Sequence, residues 1–129
     1  MENKKVLIVD DSKTMVRISD NIVKQLGITN VDWAFNGKEA LDLMKLKKYD
    51  LILSDINMVP MNGFELVEVI RSTGNKVGIF MITTEGGREE VIKALRLGAN
   101  NYLVKPIDKD VLKQKIIDYF KIGKWYGKR

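Results

Sequence analysis

The stretch VLIVDDSKTMVRISDNIVKQL, residues 6–26, decides the fold because its hydrophobic period changes partway along. Residues 6–10 form an apolar run that ends in a carboxylate, which is typical of a strand covered on both faces. Apolar side chains then recur at spacings of three and four, which predicts an amphipathic helix. They are Met15, Ile18, Ile22 and Leu26. The stretch therefore predicts a strand followed by a helix.

The same alternation continues along the chain. Four further apolar runs are predicted strands: VDWAF (31–35), LILSD (51–55), VGIFMIT (77–83) and NYLVK (101–105). Helical spacings recur between and after them, in the sets Ala40, Leu43 and Met44, then Val91, Ala94 and Leu95, then Leu112, Ile116, Tyr119 and Phe120. Five strands that alternate with five helices predict an α/β fold of the doubly wound type, a parallel sheet with helices on both faces.

Helix boundaries carry their own signals. Asn36 and Glu39 resemble a capping box that opens the second helix. Gly27 and Gly98 are expected to end the first and fourth helices, since glycine readily adopts the left-handed conformation found there.

Composition excludes several classes of protein. The chain has 129 residues, which suits one domain, and it contains neither Cys nor His. Disulfides, thiolate nucleophiles, Ser-His pairs and imidazole metal ligands are therefore excluded, so any metal must be bound by oxygen. No apolar run approaches the ~18 residues of a membrane span, and the start MENKKVLIVDD lacks a signal-peptide core. We expect a cytoplasmic protein that does not enter the membrane.

The net charge of +5 is confined to the end of the chain. Residues 105–129 carry eight Lys or Arg and three Asp, a net of +5, so the first 104 residues balance at zero. We predict a domain over residues 1–122 and a basic tail over residues 123–129. Because the excess charge does not form a basic face on the folded body, we expect no binding to nucleic acid.

Polar residues stand at the carboxyl ends of four predicted strands. Asp10 and Asp11 follow the first strand, Asp55 ends the third, Thr83 the fourth and Lys105 the fifth. Ligands of open α/β sheets bind at this edge, and with a 2-1-3-4-5 strand order the three carboxylates would share one site. Three such carboxylates need a cation, and Mg²⁺ suits oxygen ligands. A carboxylate beside Mg²⁺, an ammonium and a hydroxyl is arranged for phosphoryl transfer.

Each residue also has a structural interpretation. The Asp pair could cap a helix, Thr83 could simply end a strand, and Lys105-Pro106 could form an exposed turn. Their coincidence at one edge of the sheet favours function.

These residues, in this order, resemble the receiver domain of two-component response regulators, in particular the stand-alone chemotaxis (CheY-like) type with a flavodoxin-like fold. The resemblance covers the chain up to Phe120. It implies that Asp55 is the phospho-acceptor. It further implies that Mg²⁺ is bound by Asp10, Asp11, Asp55 and the backbone carbonyl of Asn57.

The resemblance also assigns switching roles. Lys105 would contact the phosphoryl group, and its bond to Pro106 would be cis. Thr83 would be the switch hydroxyl, and Tyr102 the aromatic side chain whose rotamer follows it. Arg88, Val91 and Tyr102 would lie on the surface that reads the switch, although ordinary helix surface and partial core is the favoured explanation of the two helix residues.

Other positions bear on the lifetime of the aspartyl phosphate. Asn57 and Glu85 resemble the pair of chemotaxis receivers with short-lived phosphates, although solvated loop residues are an equal alternative. Thr84 stands where Ala or Gly is commoner and would restrict access. Val59 replaces a frequent Pro, which predicts an altered loop shape because Gly63 keeps its spacing.

The resemblance implies a monomeric protein that is not an enzyme beyond its own phosphotransfer and autodephosphorylation. The implied partners are a sensor histidine kinase (CheA-like), a flagellar motor switch protein or another downstream protein, and a phosphatase. The alternative role is a phosphorelay intermediate that passes the phosphoryl group to another His-containing domain.

The sequence argues against three other classes of protein. A phosphatase would need an acid-base Asp at position 57, which is Asn. A flavin or nucleotide carrier would need glycines in the first loop, whose sequence is DDSKT. The complete acidic set argues against a degenerate receiver that serves only as a scaffold.

Overall fold

The computed structural model describes residues 1–123, in which five strands alternate with five α-helices. The strands are Lys5–Val9 (β1), Asn30–Ala34 (β2), Leu51–Ser54 (β3), Gly78–Thr83 (β4) and Asn101–Val104 (β5). The helices are Lys13–Lys24 (α1), Gly37–Leu46 (α2), Gly63–Ser72 (α3), Arg88–Leu97 (α4) and Lys109–Asp118 (α5), and a π-helical turn follows at Tyr119–Gly123. All five predicted strands are present, with their ends within one residue of the prediction.

The strands form one parallel sheet in the order β2-β1-β3-β4-β5. This confirms the predicted doubly wound, flavodoxin-like fold. The chain runs from β1 outward to β2 and then returns past β1 to β3, so the strand order reverses between β1 and β3. A crevice therefore opens at the carboxyl ends of these two neighbours.

Helices cover both faces of the sheet. Neighbouring residues of a strand point to opposite faces, so Leu7 and Ile8 of β1 belong to two different cores. Leu7 packs in the core that includes Leu66 of α3, together with residues of α2 and α4. Ile8 packs in the core that includes Val16 of α1, together with residues of α5.

Two side chains counted in the predicted helix faces are exposed instead. Ile18 of α1 is 41% exposed and Leu95 of α4 is 47% exposed. The buried stripe of α1 runs through Val16, Ser19 and Val23. Because Ser19 is polar, the spacing of apolar residues alone does not reveal this buried stripe.

Helix ends largely follow the sequence signals. Asn36 caps α2 by accepting the Glu39 N–H at 3.0 Å. The second hydrogen bond of the predicted capping box is different. The Glu39 carboxylate accepts the backbone N–H of Phe35 at 3.0 Å rather than that of Asn36. Gly98 ends α4 with a φ of 117°, as predicted. Gly27, with a φ of 87°, lies two residues beyond the cap of α1 at Gln25.

A complete capping box opens α3, and it was not among the predicted helix signals. Asn62 accepts the Glu65 N–H at 2.9 Å, and Glu65 accepts the Asn62 N–H at 3.1 Å. The Asn-x-x-Glu spacing is the one used to predict the start of α2, so the signal was available.

The last helix runs directly into the π-helical turn. The Tyr119 ring packs edge-to-face against Phe80, with centroids 5.7 Å apart. Residues 124–129, which are all but the first residue of the predicted basic tail, lie outside the described residues. Within residues 1–123, none of the helices has the length and apolarity that crossing a bilayer requires.

Candidate functional site

Three carboxylates meet at the crevice between β1 and β3. Asp10 and Asp11 follow β1, Asp55 follows β3, and the Asp55 N–H donates to the carbonyl of Val9 at 2.8 Å. One oxygen from each carboxylate lies within 4.8 Å of the others. Asp10 and Asp55 are buried whereas Asp11 is exposed, so the cluster opens to solvent on one side. The sequence prediction that these three residues share one site is confirmed in its geometry.

Asp10 is held at both carboxylate oxygens. Oδ1 accepts the backbone N–H of Ser12 at 2.9 Å, and Oδ2 accepts from the Lys105 ammonium at 2.7 Å. Ser12 caps α1 by accepting the Met15 N–H at 3.2 Å. The structural interpretation of the Asp pair as the helix cap is therefore wrong, because Ser12 has that role.

Asp55 is anchored on one side and faces a cation on the other. Its Oδ1 accepts the Ile56 N–H at 2.7 Å, and its Oδ2 lies 3.3 Å from the Lys105 ammonium. The loop after Asp55 returns closely, since a Cβ on Gly63 would lie 2.1 Å from the Asp55 carbonyl oxygen. This glycine lets the start of α3 pack against the backbone of Asp55.

Lys105 is the cation of the cluster. Its backbone N–H donates to the Thr83 carbonyl at 2.8 Å, and its bond to Pro106 is cis, as the resemblance implies. A second cis bond joins Val59 and Pro60, in the loop where the sequence predicts an altered shape.

The electrostatics of the cluster are unbalanced. Burial raises the pKa of Asp10 above its ordinary value, and the hydrogen bonds from Lys105 and Ser12 offset this only in part. Burial opposes the charge of Lys105, but its contacts with Asp10 and Asp55 outweigh burial and raise its pKa. Three carboxylates with one ammonium leave an excess of negative charge. The oxygen donors, their spacing and this excess fit a hard divalent cation such as Mg²⁺.

Glu85 connects the residues predicted for switching and for lifetime. Its backbone N–H donates to the buried Thr83 hydroxyl at 3.2 Å, and its carbonyl accepts the Tyr102 hydroxyl. Its carboxylate accepts from the Asn57 amide at 3.1 Å. All four residues are among those predicted from the sequence, but the contacts of Glu85 with the other three were not predicted.

The remaining predicted residues lie beside this group. Thr84 is exposed just after β4, Arg88 is exposed at the start of α4, and Val91 is half-buried one turn later. None of them has a hydrogen bond or ion pair with the acidic cluster among residues 1–123. Other apolar side chains of α4, β5 and α5 are exposed as well. They are Ile92 and Leu95 on α4, Val104 on β5 and Val111 on α5.

Comparisons with known proteins show which family the chain belongs to. The model of the response regulator receiver domain family matches residues 6–117. The chemotaxis protein CheY homolog of Campylobacter jejuni is 45% identical over 126 residues, which cover 95% of this chain and 97% of that protein.

Solved structures of response regulators are similar to this chain as well. A two-component response regulator from Clostridium difficile superposes with a TM-score of 0.88 at 28% identity, covering 93% of this chain and 98% of that chain. A CheX–CheY–BeF₃–Mg²⁺ complex from Borrelia burgdorferi gives a TM-score of 0.83 at 30% identity, covering 91% of this chain and 89% of that chain. The chain therefore belongs to the response regulator receiver domain family of two-component signalling, and it is similar over nearly its whole length to a chemotaxis protein.

Proposed function

We propose that this chain is a single-domain response regulator that a histidine kinase phosphorylates on Asp55 and that signals by phosphorylation-dependent protein binding. The observation that carries this proposal is the position of the Asp55 carboxylate. One of its oxygens is fixed by the Ile56 N–H, and the other faces the Lys105 ammonium inside a cluster of three carboxylates. A nucleophile, a cation and oxygen donors for a metal are thereby in one crevice.

Asp10, Asp11, Asp55 and the backbone carbonyl of Asn57 would hold Mg²⁺. When bound, this ion would supply the positive charge that the cluster lacks and would stabilise the oxygens of a phosphoryl group. Asp11 is the exposed member of the three carboxylates, so it faces the solvent from which the ion and the phosphodonor would arrive.

The proposed reaction is a phosphoryl transfer between two protein side chains. An oxygen of the Asp55 carboxylate attacks phosphorus, an O–P bond forms, and the N–P bond of the kinase phosphohistidine breaks. Lys105 lies 3.3 Å from the attacking carboxylate and would bind a phosphoryl oxygen. The chain would catalyse only this transfer and the later hydrolysis of its own aspartyl phosphate, so we do not propose turnover of an external substrate.

The phosphoryl group would be read through Thr83 and Glu85. The Thr83 hydroxyl accepts from the Glu85 N–H, and Glu85 in turn binds the Tyr102 hydroxyl. A phosphoryl oxygen that draws the Thr83 hydroxyl toward Asp55 would weaken this arrangement and free Tyr102. Two sets of contacts would thus define two states of the surface that contains Arg88, Val91 and Tyr102.

Chemotaxis, with control of the flagellar motor, is the favoured pathway because the Campylobacter jejuni relative is a chemotaxis protein. The proposed partners are a CheA-like kinase, a motor switch protein or other downstream protein, and a phosphatase, all met in the cytoplasm by a monomeric chain. The Borrelia burgdorferi structure contains CheY bound to CheX, which supports partner binding through this fold. A phosphorelay intermediate remains the alternative role.

The test is phosphotransfer from a chemotaxis histidine kinase that carries a labelled phosphohistidine. The label should move to the wild-type chain and to Thr83→Ala, but not to Asp55→Asn. Amide NMR spectra should then change around Tyr102 in the wild type only, because Thr83→Ala accepts the phosphoryl group without the switch hydroxyl. Return of the label to an added His-containing domain, with no binding to a flagellar switch protein, would favour the relay. Labelling of Asp55→Asn would overturn the proposal.

A further inference from the structure

A cavity of about 590 Å³ opens at the edge of the sheet opposite to the acidic cluster. Lys4, Asp50 and Val77, which directly precede β1, β3 and β4, line it. The end of α2, the turn before β4 and the π-helical turn complete its wall. Sites for small molecules occupy roughly 300–1,000 Å³, so the cavity is large enough for one. Because it lies at the amino ends of the strands, it is separate from Asp55.

The lining of this cavity is basic. It contains four lysines and a single carboxylate, namely Lys4, Lys47, Lys48 and Lys76, with Asp50. The Asp50 carboxylate already accepts the Lys5 N–H at 2.8 Å, and the Lys47 ammonium lies 2.9 Å from Asp32. The side chains of Lys48 and Lys76 are exposed and form no ion pair within residues 1–123. These two ammonium groups favour an anionic ligand, and phosphate is the group that lysine commonly binds.

Two aromatic rings stand beside the lysines. Tyr119 and Phe120 are half-buried and pack edge-to-face, with centroids 5.5 Å apart. The Tyr119 ring is fixed from behind, since a Cβ on Gly78 would lie 2.5 Å from it. The Lys4 ammonium lies 5.0 Å from the centre of the Phe120 ring. A positioned aromatic surface next to ammonium groups suits a ligand that has both a flat ring and negative charge.

We infer that this cavity binds a nucleotide, with its phosphates at Lys48 and Lys76 and its base against Tyr119 and Phe120. A ligand with phosphate alone would make no contact with the rings, and an apolar ligand would gain nothing from the charge of the lysines. The glycine-free first loop argues against a nucleotide at the carboxyl edge of the sheet, and this cavity lies at the other edge. The inference does not depend on phosphorylation of Asp55.

Isothermal titration calorimetry on the full chain tests it, with the four ribonucleoside triphosphates and inorganic triphosphate as probes. The buffer contains EDTA, so that no nucleotide reaches the acidic cluster together with a metal. At least one nucleotide should bind to a single site, about tenfold more tightly than triphosphate. Lys48→Ala and Lys76→Ala should each weaken this binding about tenfold. Phe120→Leu should weaken nucleotide binding and leave triphosphate binding unchanged.

Lys109→Ala is the matched control. Lys109 is exposed at the start of α5, and this ten-residue helix places it about 15 Å from the turn that carries Tyr119 and Phe120. Its removal should leave nucleotide affinity unchanged, and circular dichroism should show that every variant is folded. The inference is overturned if no nucleotide binds saturably at millimolar concentration. It is also overturned if triphosphate binds as tightly as every nucleotide, or if Lys109→Ala weakens binding as much as Lys48→Ala.

Discussion

The Lys105 ammonium lies 2.7 Å from the Asp10 carboxylate, closer than the 3.3 Å that separates it from Asp55. Lys105, which we propose binds an incoming phosphoryl group, is therefore paired more closely with Asp10 than with Asp55, the proposed acceptor. The Asp55 Oδ2 has only a long contact with the Lys105 ammonium, whereas the Asp10 Oδ2 forms the shorter ion pair. This division of contacts suits a cluster in which Asp55 reacts and Asp10 positions the cation.

Asp10→Asn should stabilise the metal-free protein at neutral pH by roughly 1 kcal/mol. Burial raises the pKa of Asp10, so its ionised form costs folding free energy. Asparagine keeps an oxygen that can accept the Ser12 N–H, and Lys105 keeps Asp55 as a partner. Urea unfolding in EDTA measures the difference between variant and wild type.

The pH dependence of that difference follows from its cause. Asp10 does not lower the free energy of unfolding while it is protonated in both the folded and the unfolded state. The variant and the wild type should therefore be equally stable well below the ordinary pKa of 3.8. The difference in free energy of unfolding should appear as the pH rises through 3.8 and should reach its full value above the raised pKa of Asp10 in the folded state. Lys105 acts at the other end of the scale, where its stabilising contribution is lost only as the pH rises beyond its ordinary 10.5. A stability difference that stays constant down to pH 3 would contradict this explanation.

Millimolar Mg²⁺ should stabilise the folded wild-type chain. An ion that binds only the folded state at a hundredfold excess over its dissociation constant contributes about 2.7 kcal/mol. Asp11→Asn should remove most of this gain, because Asp11 is one of the three clustered carboxylates. Asp42→Asn, an exposed carboxylate on α2, should leave it intact. Thermal unfolding with and without the ion measures the gain, and an equal gain in Asp11→Asn would contradict the proposed metal site.

Asn57→Ala and Glu85→Ala should each lengthen the life of the aspartyl phosphate several-fold. Both side chains lie on exposed loops beside Asp55 and are joined at 3.1 Å, so they can hold the water that hydrolyses it. Because they share this hydrogen bond, the double variant should depart from additivity by at least roughly 0.5 kcal/mol. Decay of the labelled phosphoprotein measures all three lifetimes. Glu89→Ala, an exposed residue in the first turn of α4, is the control, and additive effects would exclude coupling through the bond.

Gly63→Ala should destabilise the protein by about 3 kcal/mol or more. The added Cβ would lie 2.1 Å from the Asp55 carbonyl oxygen, which is backbone and cannot move aside alone. Gly86→Ala is the comparison, because its Cβ would meet only the Val104 side chain at 3.3 Å. Denaturant unfolding of both variants provides the measurement. Equal losses would mean that the start of α3 can shift away from the backbone of Asp55 at little cost.

The sequence predicted the site better than it predicted the contacts within it. Asp10, Asp55 and Thr83 could be placed together because each lies at the carboxyl end of a strand, and parallel strands align their carboxyl ends. The position of Glu85 between Thr83 and Tyr102 depends on the path of an exposed loop, which no periodicity encodes. The exposure of Ile18 was missed for a related reason, because the stripe of α1 that faces the sheet is set by tertiary packing.

The basic cavity at the amino ends of the strands also could not be predicted from the sequence. Its lining comes from segments that are far apart in sequence, such as Lys4, Lys48, Lys76 and Phe120. Each of these residues reads as ordinary surface or as part of a helix face when taken alone. Only the sheet order, which sets β1, β3 and β4 side by side, brings them to one place.

The most direct test of the account is the intact mass of the protein after incubation with a small phosphodonor, with and without Mg²⁺. The wild-type chain should gain one phosphoryl group when Mg²⁺ is present and none in EDTA. Asp55→Asn should gain none under either condition, while Asp42→Asn should behave like the wild type. A gain in Asp55→Asn, or no gain in folded wild-type protein with Mg²⁺, would contradict the assignment of Asp55 as the phosphoryl acceptor.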